Sequence, residues 1–167
     1  MDLSRKIYIT GEINDEAFVK FNRRLSRLEQ DPYSHIYIDL TSEGGEAYAA
    51  LAFFDRIRSS PCMISITAYG YVASAAVLIL SAGDTRVMSS SSWLMVHEDS
   101  TTVDTNMTVS QVEKDAAHSR RMEDQWCKLL ASVTTTNESV WASLHKNETY
   151  LTAQECLELG IIDKVLE

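Results

Sequence analysis

Apolar positions recur along this chain in two periods that take turns. KIYIT (6–10) alternates and is rich in β-branched and aromatic residues, which predicts a strand ended by Gly11. From Asn14 to about Gln30 the spacing becomes helical, with Phe18, Phe21, Leu25 and Leu28 on one face, and Asp31-Pro32 closes that helix. HIYIDL (35–40) predicts a second strand, TSEGGEA (41–47) a turn with paired glycines, and AYAALAFFDRIR (47–58) a helix with a wide apolar face. CMISITAYG (62–70) predicts a third strand, and the segment around Ser74 a third helix ended by Gly83. TRVM (85–88) and WLMVH (93–97) are two more short strands.

This alternation implies βαβ units around a mostly parallel sheet, hence an α/β fold. In such sheets sites form where strands end and helices begin, as at the Gly44-Gly45 turn and the Gly70–Ser74 turn. The second part of the chain reads as helical. Thr108 with Gln111 predicts a capping box opening a long helix to about Ala131. Thr135 with Glu138 is a second candidate box, before SVWASLHK. Thr152 with Glu155 is a third, before CLELG, with Gly160 as C-terminal cap. IIDKVL (161–166) ends the chain as a short extended piece.

Composition narrows the function classes. The chain has 167 residues, enough for one domain with a sizeable core, and apolar residues make up 45% of it. Its net charge of −9 disfavours non-specific binding to nucleic acid or to an anionic membrane, because the long-range field repels phosphates. Cys62, Cys127 and Cys156 form no CxxC pair and are an odd number, so reduced, buried thiols and a cytoplasmic location are expected. The longest apolar stretch, around 71–80, is too short to cross a bilayer.

Ser74 is the one aliphatic hydroxyl in an apolar run until Ser81, and it falls at a strand-to-helix turn. There a hydroxyl is either a helix cap or a nucleophile, and the next N–H, of Ala75, could hydrogen-bond an oxyanion. Gly44-Gly45 is either a tight turn or a second oxyanion donor beside a strand edge that an extended peptide could join. His97, at the end of WLMVH, is either a structural histidine or a general base. His35, His118 and His145 are weaker candidates. A Ser–His pair needs an acid to orient the imidazole, and Glu98, Asp99, Asp104, Glu148 and Asp163 are all open.

Four stretches in order carry a family resemblance: IYIDLTSEGGEAYAALAFFDRIR, ITAYGYVASAAVLILSAG, SSWLMVHE and TYLTAQECLELGIIDKVLE. They resemble the patterns of the Clp protease proteolytic subunit: a strand followed by S-P-G-G, then G-x-A-A-S-x-A, then M-I-H at a strand end, then a late L-[ST]-x-x-E-A-x-x-x-G-[IL]-[IV]-D. The resemblance spans nearly the whole chain. It implies a ClpP/crotonase-like core of repeated β-β-α units wound as a spiral, with a long protruding handle helix. Residues 1–167 would then be one domain, with a head at about 1–98 and 149–167 and a handle at about 99–148.

By position, the resemblance makes Ser74 the nucleophile and His97 the general base. Gly45 and Ala75 become the oxyanion-hole donors, and Gly44-Gly45 the edge that holds substrate. The residue aligned with the family's usual aspartate is Glu148, and a one-residue slip would place Asn147 there. The implied activity is that of a serine endopeptidase of the ATP-dependent type, acting on peptide or unfolded protein, with no metal or cofactor. The implied assembly is a homo-oligomeric, heptameric ring. Glu43 replaces the proline of S-P-G-G, so the peptide-facing loop differs. The chain starts almost at its first core strand, without the family's N-terminal segment, which weakens the expectation of a AAA+ unfoldase partner. EDSTTVDTNMTV (98–109) lacks the family's glycine-rich run, and the Arg-Asp pair that helps join rings is absent, so one or two rings stay open. Two alternatives remain: a catalytically weak or inactive regulatory ring subunit of the same fold, and an acyl-CoA hydratase of the related crotonase fold, for which no CoA-binding feature is evident.

Overall fold

A computed structural model describes residues 3–98 and 106–167. Five strands form the main path of one sheet in the order β1-β2-β3-β4-β7, all paired in parallel. They are β1 (Lys6–Ile13), β2 (Ile36–Gly45), β3 (Ile64–Ala73), β4 (Thr85–Ser89) and β7 (Lys164–Leu166). Helices α1 (Asp15–Leu28), α2 (Ala47–Arg58) and α3 (Ala75–Ser81) follow the first three strands. Alternation along β2 turns Ile36, Ile38 and Leu40 inward, and Ile64 and Ile66 of β3 do the same. Against them pack Phe21 and Leu25 of α1 and Phe53 and Ile57 of α2, with the Phe18 and Phe53 rings edge-to-face at 5.4 Å.

Three strands run further than their local pattern predicts. Gly11 does not end β1; it takes φ +75° inside it, where the register shifts between Thr10 and Glu12. The predicted 41–47 turn is mostly strand, because Gly44 and Gly45 pair with Glu12 and Ile13 of β1. β3 likewise runs past Gly70 (φ +64°) to Ala73. At that bend it changes partner. Residues 65–68 pair with β4, whereas Tyr71, Val72 and Ala73 pair with Trp93, Leu94 and Met95 of β5 (Trp93–Val96). A further strand that the sequence pattern left unassigned, β6 (Thr149–Thr152), lies antiparallel to β5. Four residues are too few for a period to show against the adjoining helix signals.

Beyond the sheet, α4 (Val109–Val133) opens with the expected Thr108–Gln111 capping box, and α6 (Ala153–Glu158) with the Thr152–Glu155 box. Between them α5 (Glu138–Lys146) is capped by Asn137, whose side chain accepts from Val140 N–H, and not by a Thr135 box. Thr135 instead donates through its backbone and hydroxyl to the carbonyl of Gly160. Cys62, Cys127 and Cys156 are all buried and free. Among the described residues no helix is long and apolar enough to cross a membrane.

One ion pair fastens the C-terminal segment to this frame. Asp163 accepts from Arg86 N–H at 2.7 Å, from Nε at 3.0 Å and from Nη2 at 2.6 Å, while Arg86 Nη1 donates to the Val133 carbonyl at the end of α4. Burial works against the Asp163 carboxylate, but the Arg86 hydrogen bonds outweigh it and hold the carboxyl below its ordinary value of 3.8. Removing it strands a buried guanidinium. Asp163→Ala is therefore expected to cost about 2 kcal/mol in chemical denaturation, less than a fully dry pair because the carboxylate is partly exposed. The folded-state pKa lies below the unfolded one. The pair's contribution is thus complete above the ordinary carboxylate range and is lost as pH falls through the depressed value. Wild type should lose more stability than Asp163→Ala on acidification.

Candidate active site

The end of β3 delivers Ser74 in a conformation that few residues other than glycine adopt, φ +53° and ψ −124°. A sharp turn of this kind between a strand and a helix lifts a side chain clear of both elements. Ser74 makes no side-chain cap to α3, so the helix-cap explanation of this serine does not apply. Its backbone N–H donates to the Met95 carbonyl at 2.9 Å, continuing the β3–β5 ladder by one step. Two residues beyond Met95, β5 has ended and His97 follows. The two side chains meet there, with His97 Nε2 3.0 Å from Ser74 Oγ.

The glycine pair comes up against this turn from β2. A methyl group added at Gly44 would lie 2.7 Å from the Ala73 carbonyl oxygen, 2.8 Å from Ser74 Cβ and 3.1 Å from Ala75 N. Gly44 (φ +101°) is therefore what allows β2 to close on the serine turn. Ser42 Oγ braces the approach, accepting from Gly44 N–H and donating to the Gly11 carbonyl. Gly45 and Ala75 then border one small cavity of about 60 Å³ together with Ser74 and His97. Its opposite wall comes from the helical part of the chain, through Trp126 and Glu123 of α4 and His145 of α5.

The candidate acids fall in different places. Asp163 is held by Arg86, and Asp99 and Asp104 lie outside the described residues. Glu98 is exposed. Glu148 sits at φ +45°, immediately before Thr149, which pairs with Val96 in the antiparallel β5–β6 ladder. The ladder ends at that pair, and Glu148 and His97 are the residues that adjoin it on the two strands. Its carboxylate accepts from the Tyr150 hydroxyl at 3.3 Å, and burial, with Tyr150 and the Glu148 charge nearby, pushes the Tyr71 phenol up. Asn147 donates to the Ser143 carbonyl at 2.8 Å. Among the described residues no hydrogen bond joins His97 to Glu148 or Asn147.

His35 and His118 are engaged elsewhere, with Ser65 Oγ at 2.8 Å and the Tyr48 hydroxyl at 2.6 Å. His145 is the residue that sequence reasoning undervalued. It is buried in the wall of the cavity, 2.9 Å from Glu123 and 3.6 Å from Cys127 Sγ. Burial holds its imidazole below the ordinary value, against the pull of Glu123, and the nearby His97 lowers it further. The only advance signal was the four-residue spacing of Glu123 and Cys127, which puts both on one helical face.

Comparison with known proteins agrees with the motif order. The Clp protease family model matches residues 1–167. The ATP-dependent Clp protease proteolytic subunit 2 of Treponema denticola is 33% identical over 165 residues, covering 97% of this chain and 82% of that one. Subunit 3 of Rhodococcus jostii is 28% identical over 165 residues, with 97% and 81% covered. A solved ClpP1 mutant from Listeria monocytogenes superposes with a TM-score of 0.89 at 24% identity, over 98% of this chain and 92% of that one, which shows the same fold. With the family pattern matched from end to end and the fold shared, this chain belongs to the Clp protease family.

Proposed function

We propose that the chain is a serine endopeptidase in which Ser74 Oγ attacks the peptide carbonyl. The observation that carries this reading is the 3.0 Å approach of His97 Nε2 to Ser74 Oγ at a strained strand-to-helix turn. His97 takes the hydroxyl proton as the C–O bond forms. The N–H groups of Gly45 and Ala75, both bordering the cavity, stabilise the tetrahedral oxyanion. His97 returns the proton to the leaving amine, and the acyl-enzyme remains. Water, deprotonated by His97, then releases the acid product and restores Ser74. An extended peptide lies along the β2 edge at Gly44-Gly45. Fluorophosphonate labelling, wild type against Ser74→Ala, tests this reading.

Glu148 is the carboxylate we assign to orient His97, on the strength of the β5–β6 register. Its removal is expected to lower hydrolysis of a fluorogenic peptide by roughly 10²–10⁴-fold, as when the orienting acid of a triad is lost. Activity within a few-fold of wild type would remove Glu148 from the site, and Asn147→Ala would then be the variant to measure. One observation favours the second reading, a catalytically weak or inactive ring subunit: the Glu148 carboxylate is bonded to Tyr150 instead of His97. That reading predicts no fluorophosphonate labelling of folded, assembled protein.

We propose assembly as a homo-oligomeric ring, a heptamer as the family resemblance implies, in which the outward face of the sheet is a surface for a neighbouring copy to cover. Parallel sheets are normally covered on both faces. Here Tyr37, Ser65 and Thr67 alternate with the buried positions and are only half-buried. The mass of the intact oligomer decides ring number.

A further inference from the structure

Glu123, Cys127 and His145 stand together in the wall of the cavity, and the serine peptidase chemistry leaves all three without a task. Glu123 and Cys127 are one turn apart on α4, and His145 reaches them from the last turn of α5. Their ligand atoms all lie within 4.8 Å of one another. His145 Nδ1 is 3.6 Å from Cys127 Sγ and 2.9 Å from a Glu123 carboxylate oxygen. Cys127 and His145 are buried, while Glu123 and His145 border the cavity and so present the cluster to its interior.

We propose that Glu123, Cys127 and His145 form a binding site for a thiophilic divalent cation of the zinc class. The donor set selects the metal. A thiolate and an imidazole beside one carboxylate suit zinc, whereas calcium and magnesium demand oxygen ligands. The two separations from His145 Nδ1 come close to what zinc needs. With zinc bonds of about 2.3 Å to sulfur and about 2.0–2.1 Å to nitrogen and oxygen, a tetrahedral centre needs about 3.6 Å between S and N and about 3.4 Å between N and O. The first separation is already in place, and the second requires the Glu123 carboxylate to draw back by about half an ångström. Three protein ligands leave a fourth position facing the cavity, where a water molecule fits.

Proton balance follows from the ligands. On binding, the Cys127 S–H bond gives way to a metal–sulfur bond and its proton passes to solvent. Nδ1 of His145 gives up the proton it shares with the Glu123 carboxylate and Nε2 takes one from solvent, so the ring stays neutral with its Nδ1 lone pair on the metal. One thiolate and one carboxylate then neutralise the divalent charge, so the buried centre carries no net charge.

The test is cobalt(II) titration of the 167-residue Ser74→Ala chain, in which binding is read without any hydrolysis and stands apart from the peptidase reading. The expected result is one ion per chain by metal analysis, with a thiolate-to-cobalt charge-transfer band that zinc displaces. Cys127→Ser should abolish the band, and Glu123→Gln should weaken binding by about 100-fold, at least what a partner outside the first coordination sphere is worth. Cys62→Ser should leave both unchanged, and thermal melts establish that each variant is folded. Absence of the band in the parent chain, or a band of equal strength in folded Cys127→Ser, overturns the proposal.

Discussion

Replacing Ser74 by alanine should abolish covalent labelling by a fluorophosphonate probe and reduce peptide hydrolysis by about 10⁴-fold or more. In the proposed mechanism the loss is that large because nucleophile and base act as a unit: without the hydroxyl there is no acyl-enzyme for His97 to form or resolve. The fold should survive. Ser74 makes no cap to α3, and the backbone N–H that it donates to Met95 is retained in alanine. Alanine keeps a Cβ and hence the strain at φ +53°, so stability should change little in either direction. Labelling of Ser74→Ala as strongly as wild type, or no labelling of either across pH 6–9 with folded, assembled protein, would sink the peptidase reading.

Gly44→Ala should have the largest effect on stability, joined to a loss of activity, and it separates geometry from chemistry because no reacting group is removed. The new methyl would meet the Ala73 carbonyl oxygen, Ser74 Cβ and Ala75 N at 2.7, 2.8 and 3.1 Å, and two of those three atoms are backbone. None can swing aside as the tip of a long side chain would. The φ of +101° adds strain that an L-residue bears badly. Together the overpacking and the backbone strain are expected to cost about 3 kcal/mol. Relief requires the end of β2 to retreat from the serine turn, which shifts Gly45, the proposed neighbouring donor, away from the oxyanion position. Hydrolysis at a temperature where the variant is still folded should fall by about 10²-fold, the loss associated with one oxyanion donor. A variant that melts early yet hydrolyses peptide at the wild-type rate would show that the close approach serves packing alone.

Much of this architecture is legible in the sequence, and the misses share a cause. The helix at 47–58 and the capping boxes at Thr108 and Thr152 rest on local hydrogen bonds, and local spacing reveals them. The extensions of β2 to Gly45 and of β3 to Ala73 rest on partners dozens of residues away, and glycines that read as turns prove to be bends within strands. β6 was missed for the same reason, since it exists through β5. At the candidate site, Ser74 and His97 stood out because Ser74 falls at a strand-to-helix turn in an apolar run and His97 ends a strand pattern. His145 did not, because its importance lies in a cavity wall assembled from α4 and α5.

The partner change of β3 at Gly70 carries one more consequence. Ser74 and His97 extend two strands that are laced to each other by main-chain hydrogen bonds, Val72 opposite Leu94 and Ala73 opposite Met95. A peptide ladder does not register which side chains hang from it. Hydrophobic residues beneath the ladder can therefore be exchanged over many generations, provided they remain apolar and roughly the same size, while the hydroxyl and the imidazole stay at their separation. A chain built this way can drift far in sequence with its fold intact, as the TM-score of 0.89 at 24% identity illustrates.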